Sequence, residues 1–309
     1  MKRYRVVVLL LVACCWTTLS FSQIEITLKK QFVDDFADRV TIDASFRVDV
    51  TSKIHPASQD GDIHVAGTAP EIGLLAVAEV MNAKTEKNQS VKQLMDAAGS
   101  GSPVTISGAW RIWSEHGGEQ QYVQGDAVPV ATNSGEAHVF EIHPITKVAG
   151  RDVSHTWEPI PGFTYKNADD AFTNYERTKS HITEHDGVVT IQTEKSGYNY
   201  TEFVAKLLTD PKNITGGSYV FAAIFDTNGE LLVKERRLVF ADGTPPQQVI
   251  STKHKGDALD LLGIPRLNLK LVQWRLGHHS GQFANSLDWN LPYELIIAAV
   301  LDESPSVPE

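Results

Sequence analysis

The sequence predicts a mainly β protein of two domains. Three observations carry that expectation. Residues 39–53 alternate strictly, with Val40, Ile42, Ala44, Phe46, Val48 and Val50 apolar and Thr41, Asp43, Ser45, Arg47 and Asp49 between them. That is the period-two pattern of a half-buried strand. Further short apolar runs recur along the chain between Gly, Pro, Asn and Asp turn signals. Finally, 309 residues with 42% hydrophobic and 21% charged content are material for two globular cores.

In the first domain, residues 39–150, the strand at 39–53 is followed by a turn region from His55 to Gly61. Asp62–Gly67 and Leu74–Met81 read as the second and third strands. Ser90, with Gln93 three residues on, forms a capping box for a helix whose Val91, Leu94, Met95 and Ala98 share a face. Pro103–Trp113 is a fourth strand. A polar loop covers 115–136, and His138–Val148 is the fifth strand. Three strands, a helix and two strands is the element order of an OB-fold, a five-stranded barrel.

Residues 23–38 are a lead-in without a clear pattern. Residues 151–162, with Pro159 and Pro161, read as a linker. The second domain, 163–303, opens with a short helix capped by Asn167 with Asp169 and Asp170 in its first turn. Strands are expected at 188–193, 199–208, 218–225, 231–240, 267–276 and 293–301, with a short helix at 257–262 closed by Gly263. Asp226-Thr227-Asn228-Gly229 is a hairpin turn. The domain is therefore expected to be antiparallel β, sandwich-like, with two short helices. Residues 304–309, with Pro305 and Pro308, form a tail expected to be disordered.

Three stretches carry a resemblance: Asp60-Gly61-Asp62-Ile63-His64, Val104-Thr105-Ile106-Ser107-Gly108 and Glu141-Ile142-His143-Pro144. They resemble a group of exported bacterial proteins with an OB-like barrel and no assigned activity, whose members show a D-x-D-x-H strand early and an E-[IL]-H-P strand late. The match covers about a third of the chain. The long loop 114–136 departs from the compact Gly-rich segment of that group.

Lys2, Arg3 and Arg5 precede an apolar run from Val6 to Ala13, and Ser20-Phe21-Ser22 offers small residues for cleavage before Gln23. That is a secretory signal peptide over 1–22, implying export to the periplasm or beyond. Leu11-Val12-Ala13-Cys14 also resembles a lipobox, which would anchor the chain through a lipidated Cys14. Both cysteines, Cys14 and Cys15, lie in this segment, so cleavage after Ser22 leaves no disulfide and no cysteine-ligated metal. Removing the three basic residues takes the formal charge from −10 to −13. With Lys29-Lys30 and Arg236-Arg237 only pairs, nucleic acid is disfavoured as a partner. No later apolar run is long enough for a membrane span.

Alternation puts Asp60, Asp62 and His64 on one strand face and Val139, Glu141 and His143 on another. If these faces meet, His64, Glu141 and His143 are ligand types for zinc, manganese or iron, with Asp60 or Asp62 beside them. With water in an open position, such a metal hydrolyses esters or phosphodiesters. The alternative is a structural polar network. Trp110 and Trp113 are candidates for ligand stacking, one expected in the core and one exposed. Glu115-His116 can close over the barrel. His278-His279, as neighbours, face apart on a strand. Asn88, Asn199 and Asn213 begin glycosylation sequons. G-x-G-x-x-G, Walker A, G-x-S-x-G and H-E-x-x-H are absent, as is any repeat of 20–50 residues. The function expected first is a non-catalytic binding protein of the bacterial envelope with an unknown envelope ligand or protein as partner. A metal-dependent hydrolase and a structural envelope component are the alternatives.

Overall fold

A computed structural model describes residues 23–278 and 286–305. The signal-peptide and Cys14 readings, His279 and most of the tail lie outside those residues. The elements run β1 (Ile24–Lys29), α1 (Lys30–Phe36), β2 (Thr41–Thr51), β3 (Ile63–Thr68), β4 (Leu75–Val80), α2 (Ser90–Ala97), β5 (Pro103–Ile112), β6 (Gln121–Val123), β7 (Phe140–Val148) and β8 (Arg151–Asp152). They continue with α3 (Ala168–Arg177), β9 (Lys179–His185), β10 (Val188–Thr193), β11 (Thr201–Leu207), β12 (Lys212–Ile214), β13 (Gly217–Phe225) and β14 (Leu231–Ala241). Last come α4 (Pro245–Ile250), β15 (Ala258–Leu267), α5 (Leu269–His278), β16 (Ser286–Asn290) and β17 (Tyr293–Asp302).

The mainly β class holds, and so does the first barrel. β2 pairs with β3 and β5, β3 with β4, β4 with β7 in parallel, and β5 with β7, closing a five-stranded ring with α2 between its third and fourth strands. Its interior is apolar: Ile42, Phe46, Ile63, Val65, Ala78, Ile106 and Ile142 are buried. Gly108 lets β5 pass close to β7. A Cβ there would lie 2.6 Å from Ile142 and 2.7 Å from the Pro144 carbonyl.

The cap of α2 differs from the capping box. Gln89 occupies the N-cap with φ of 62°, and the Glu86 carboxylate accepts from the Ser90 and Val91 N–H groups. A carboxylate four residues upstream does the work assigned to the Ser90 hydroxyl.

The second unit is antiparallel β as expected, with one parallel pair, but it closes on itself instead of stacking in two layers. β11 pairs with β13 and β15, β13 with β14, β14 with β17 in parallel, and β15 with β17. That is the same strand order as the first barrel, with α4 in the place of α2. Two elements are exchanged relative to expectation. The short helix placed at 257–262 is part of β15, and the strand placed at 267–276 is α5.

A third, five-stranded sheet runs β16–β9–β10–β1–β6. Its members come from the lead-in (β1), from the fourth-to-fifth strand connection of each barrel (β6 and β16), and from the hairpin between the barrels (β9 and β10). The lead-in thus has regular structure, the outer strands of this sheet tie both barrels together, and the segment read as a linker is packed, with Trp157 fully buried and its Nε1–H donating to the Ile145 carbonyl at 2.9 Å.

The barrels meet through their fourth strands in a reciprocal way. Arg111 on β5 donates from Nε to the Pro265 carbonyl at 2.8 Å. Arg266 on β15 donates to the Trp110 carbonyl at 3.0 Å. Each arginine pairs with the glutamate opposite it on its own fifth strand: Arg111 with Glu141, and Arg266 with Glu294. All four side chains are buried.

Candidate functional site

The polar groups lie on the outer face of the first barrel. Gly61, at φ of 74°, turns the chain into β3. Asp60 Oδ1 accepts from the Asp62 N–H at 3.1 Å and lies 2.8 Å from His55 Nδ1. In register, His64 on β3 faces Glu79 on β4, while β4 lies beside β7, which carries Glu141 and His143. β3 and β7 are therefore separated by one strand, and Glu79 fills the gap. Its Oε2 lies 3.5 Å from His64 Nε2 and 3.4 Å from His143 Nδ1. This residue has no motif. The signal available was one carboxylate in the otherwise apolar run Leu74–Met81.

Beneath it, the Tyr200 hydroxyl donates to Asp62 Oδ2 at 2.6 Å and meets His143 Nε2 at 2.8 Å. Asp62 Oδ1 accepts from the Asn82 N–H. Tyr198 and Tyr200 both have positive φ, 69° and 53°. Aromatic residues seldom take that conformation, and such strain concentrates at functional positions. Asp62, Glu79 and His143 offer ligand atoms that all lie within 4.8 Å of one another, and His55, Asp60 and His64 form a second such group.

His64, Glu141 and His143 are not gathered as one set: Glu141 Oε2 lies 3.2 Å from His143 Nδ1, but His64 is linked to them only through Glu79. Glu141 is held by the Arg111 guanidinium and by His138 at 3.3 Å. Its counterpart Glu294 makes the same pair with Arg266, so the pair belongs to the architecture common to both barrels. The other cluster residues are not repeated. Matching the strand registers through that pair puts Gly217, Tyr219, Val239 and Ile296 at the places of Asp62, His64, Glu79 and His143. The polar cluster is specific to the first barrel.

Burial dominates the electrostatics. It pushes the Glu79 carboxyl up to about 8, against the pull of His143. Burial works against the His143 charge, but Glu79, Asp62 and Glu141 outweigh it and lift the imidazole to about 10. Burial also opposes the Glu141 charge, yet Arg111 with His138 and His143 holds that carboxyl well below the usual range. His64 is lowered by burial.

A cavity of about 620 Å³ opens over the cluster, and Asp60, His64 and Glu79 line it. Glu115 and His116 line it as well, with Glu115 fixed by Arg111 at 3.0 Å. The two tryptophans do not. Both are buried: Trp110 lies under the Arg266 guanidinium at 3.8 Å, and Trp113 packs edge-on to Tyr175. The expectation of one exposed ring fails because Trp113 leaves β5 under α3. His278 ends α5 with Nδ1 at 2.8 Å from the Trp274 carbonyl.

No protein-family model matches the chain. No curated protein matches it. Among solved structures, it is similar to the HINa domain of Ifi202 in complex with 20-base-pair double-stranded DNA, at 11% identity and a TM-score of 0.18, over 82% of this chain and 99% of that one. It is also similar to the single-stranded DNA binding protein from Thermus aquaticus, at 10% identity and a TM-score of 0.20, over 87% and 93%. The tetrameric p202 HIN2 gives 9% identity and a TM-score of 0.19, over 84% and 92%. The sequence disfavours nucleic acid as a partner, whereas two of these neighbours are DNA binding by name. At TM-scores of 0.18–0.20 the likeness says nothing of what this cavity holds.

Proposed function

We propose that the chain is exported and is a metal-dependent hydrolase whose centre is built on Glu79. The observation that carries this reading is a charge deficit. Asp62, Glu79 and Glu141 are fully buried carboxylates, and Arg111 is the buried guanidinium beside them, pairing with Glu141. Uncompensated buried carboxylates are costly. In the metal-free protein, protons on His143 and Glu79, and on His138 beside Glu141, offset them. A divalent cation would offset Asp62 and Glu79 directly. The 3.4 Å separation between Glu79 Oε2 and His143 Nδ1 suits donors about 2.0–2.2 Å from a common ion, and Asp62 offers a third ligand atom within 4.8 Å of both. Nitrogen and oxygen donors without thiolate favour zinc, manganese or iron.

Glu79, His143 and Asp62 would hold the metal, whose chemistry is to lower the pKa of bound water and polarise a carbonyl. His64, kept neutral by burial and reached from the cavity, takes up a proton at Nε2. Tyr200 fixes Asp62 and His143 in orientation, as outer-shell partners do. Elemental analysis of protein purified without chelator should find one equivalent of metal, and Glu79→Gln should lose it. A screen of activated esters should show turnover that chelator removes. Protein that neither holds nor takes up metal would end this reading.

A further inference from the structure

The cavity over the cluster has an imbalance of charge. Asp60, Glu79, Glu115 and Asp170 line it, against the ammonium group of Lys166, with the Arg111 guanidinium behind Glu115 and His55 beside Asp60. With Glu79 committed to a metal, Asp60, Glu115 and Asp170 still outnumber Lys166. The remaining wall is aromatic. Phe163 meets Tyr165 edge-on at 5.6 Å and Tyr200 at 5.8 Å. Ring faces attract cations through their quadrupole, and a cleft of one charge sign raises the local concentration of the opposite sign. A phosphodiester would bring its charge against these carboxylates.

We propose that this cavity binds an organic cation, a protonated amine or guanidinium, and thereby selects amine-bearing esters or amides. The substrate half rests on the hydrolytic reading above; the binding half does not. Glu115, pinned by Arg111, and Asp170, exposed in the first turn of α3, would flank the cation, with Phe163 and Tyr165 beneath it.

The test is calorimetric titration of chelator-treated protein with benzylammonium, benzyl alcohol and phenyl phosphate, at low and high salt. Benzylammonium should bind, severalfold more weakly at high salt. Benzyl alcohol should bind about tenfold more weakly, and phenyl phosphate not at all. Asp170→Asn, at an exposed position that leaves the fold intact, should weaken benzylammonium about threefold, and Phe163→Ala about tenfold. Absence of benzylammonium binding, equal binding of the alcohol, or insensitivity to both substitutions would overturn the proposal. Metal is absent from this titration, so its outcome is separate from the fate of the metal centre.

Discussion

Glu79 and His143 bind protons more tightly in the folded protein than in the unfolded chain, at about 8 against an ordinary 4.5 and about 10 against 6.5. Both folded values are raised, so the associated stability is present at low pH and lost as pH rises. The window runs from 4.5 to about 8 for Glu79 and from 6.5 to about 10 for His143. Melting temperature in chelator should therefore fall steadily between pH 6 and pH 10, and Glu79→Gln should remove the lower part of that slope. A flat profile in the unmodified protein would contradict the assignment. Asp60, Asp62, His64 and His143 were legible as candidates because motif and alternation place them. Glu79 was not, because in sequence it is one polar position in an apolar strand. Only the register, which sets it opposite His64 and beside His143, gives it a role.

At the scale of the element, the Arg–Glu pairs between fourth and fifth strands hold each barrel. Removing one partner of a buried pair strands the other charge, which costs about 3–5 kcal/mol, whereas an exposed pair such as Lys92–Asp96 contributes about 1 kcal/mol or less. Glu141→Ala and Glu294→Ala should thus destabilise by similar, large amounts in urea denaturation, and Lys92→Ala by little. A small effect of Glu141→Ala would return Glu141 to the candidate ligands. The first barrel was readable because β2 alternates between buried and polar positions and the helix signals at 90–98 set the element order around it. β15 was not: Leu259, Leu261, Leu262 and Ile264 are all buried, and such a run fits strand and helix equally. Gly263 suggested a helix end, but it sits under the Phe203 ring, where a Cβ would come within 2.7 Å. The start signal of α5 is Asn268, whose Oδ1 accepts from the Leu271 N–H at 2.8 Å.

Over the whole molecule, two barrels of one topology share a sheet and exchange arginine-to-carbonyl hydrogen bonds. Neither presents an independent boundary, because β1 and β6 pair in a sheet that also holds the inter-barrel hairpin and β16. Calorimetric unfolding should accordingly be a single transition with matching calorimetric and van't Hoff enthalpies. Two resolved transitions would show that the barrels fold apart. The duplication was invisible in sequence because what repeats is topology and one ion pair, while the outer faces diverge from Asp62, His64, Glu79 and His143 to Gly217, Tyr219, Val239 and Ile296.

The most direct measurement is a calorimetric zinc titration of the chelator-treated protein, repeated in buffers of different ionisation enthalpy and on Glu79→Gln and Glu141→Gln. The metal-centre account predicts one site, release of protons on binding, loss of the site in Glu79→Gln and its retention in Glu141→Gln. Zinc binding that persists in Glu79→Gln, or no binding at all, would contradict it.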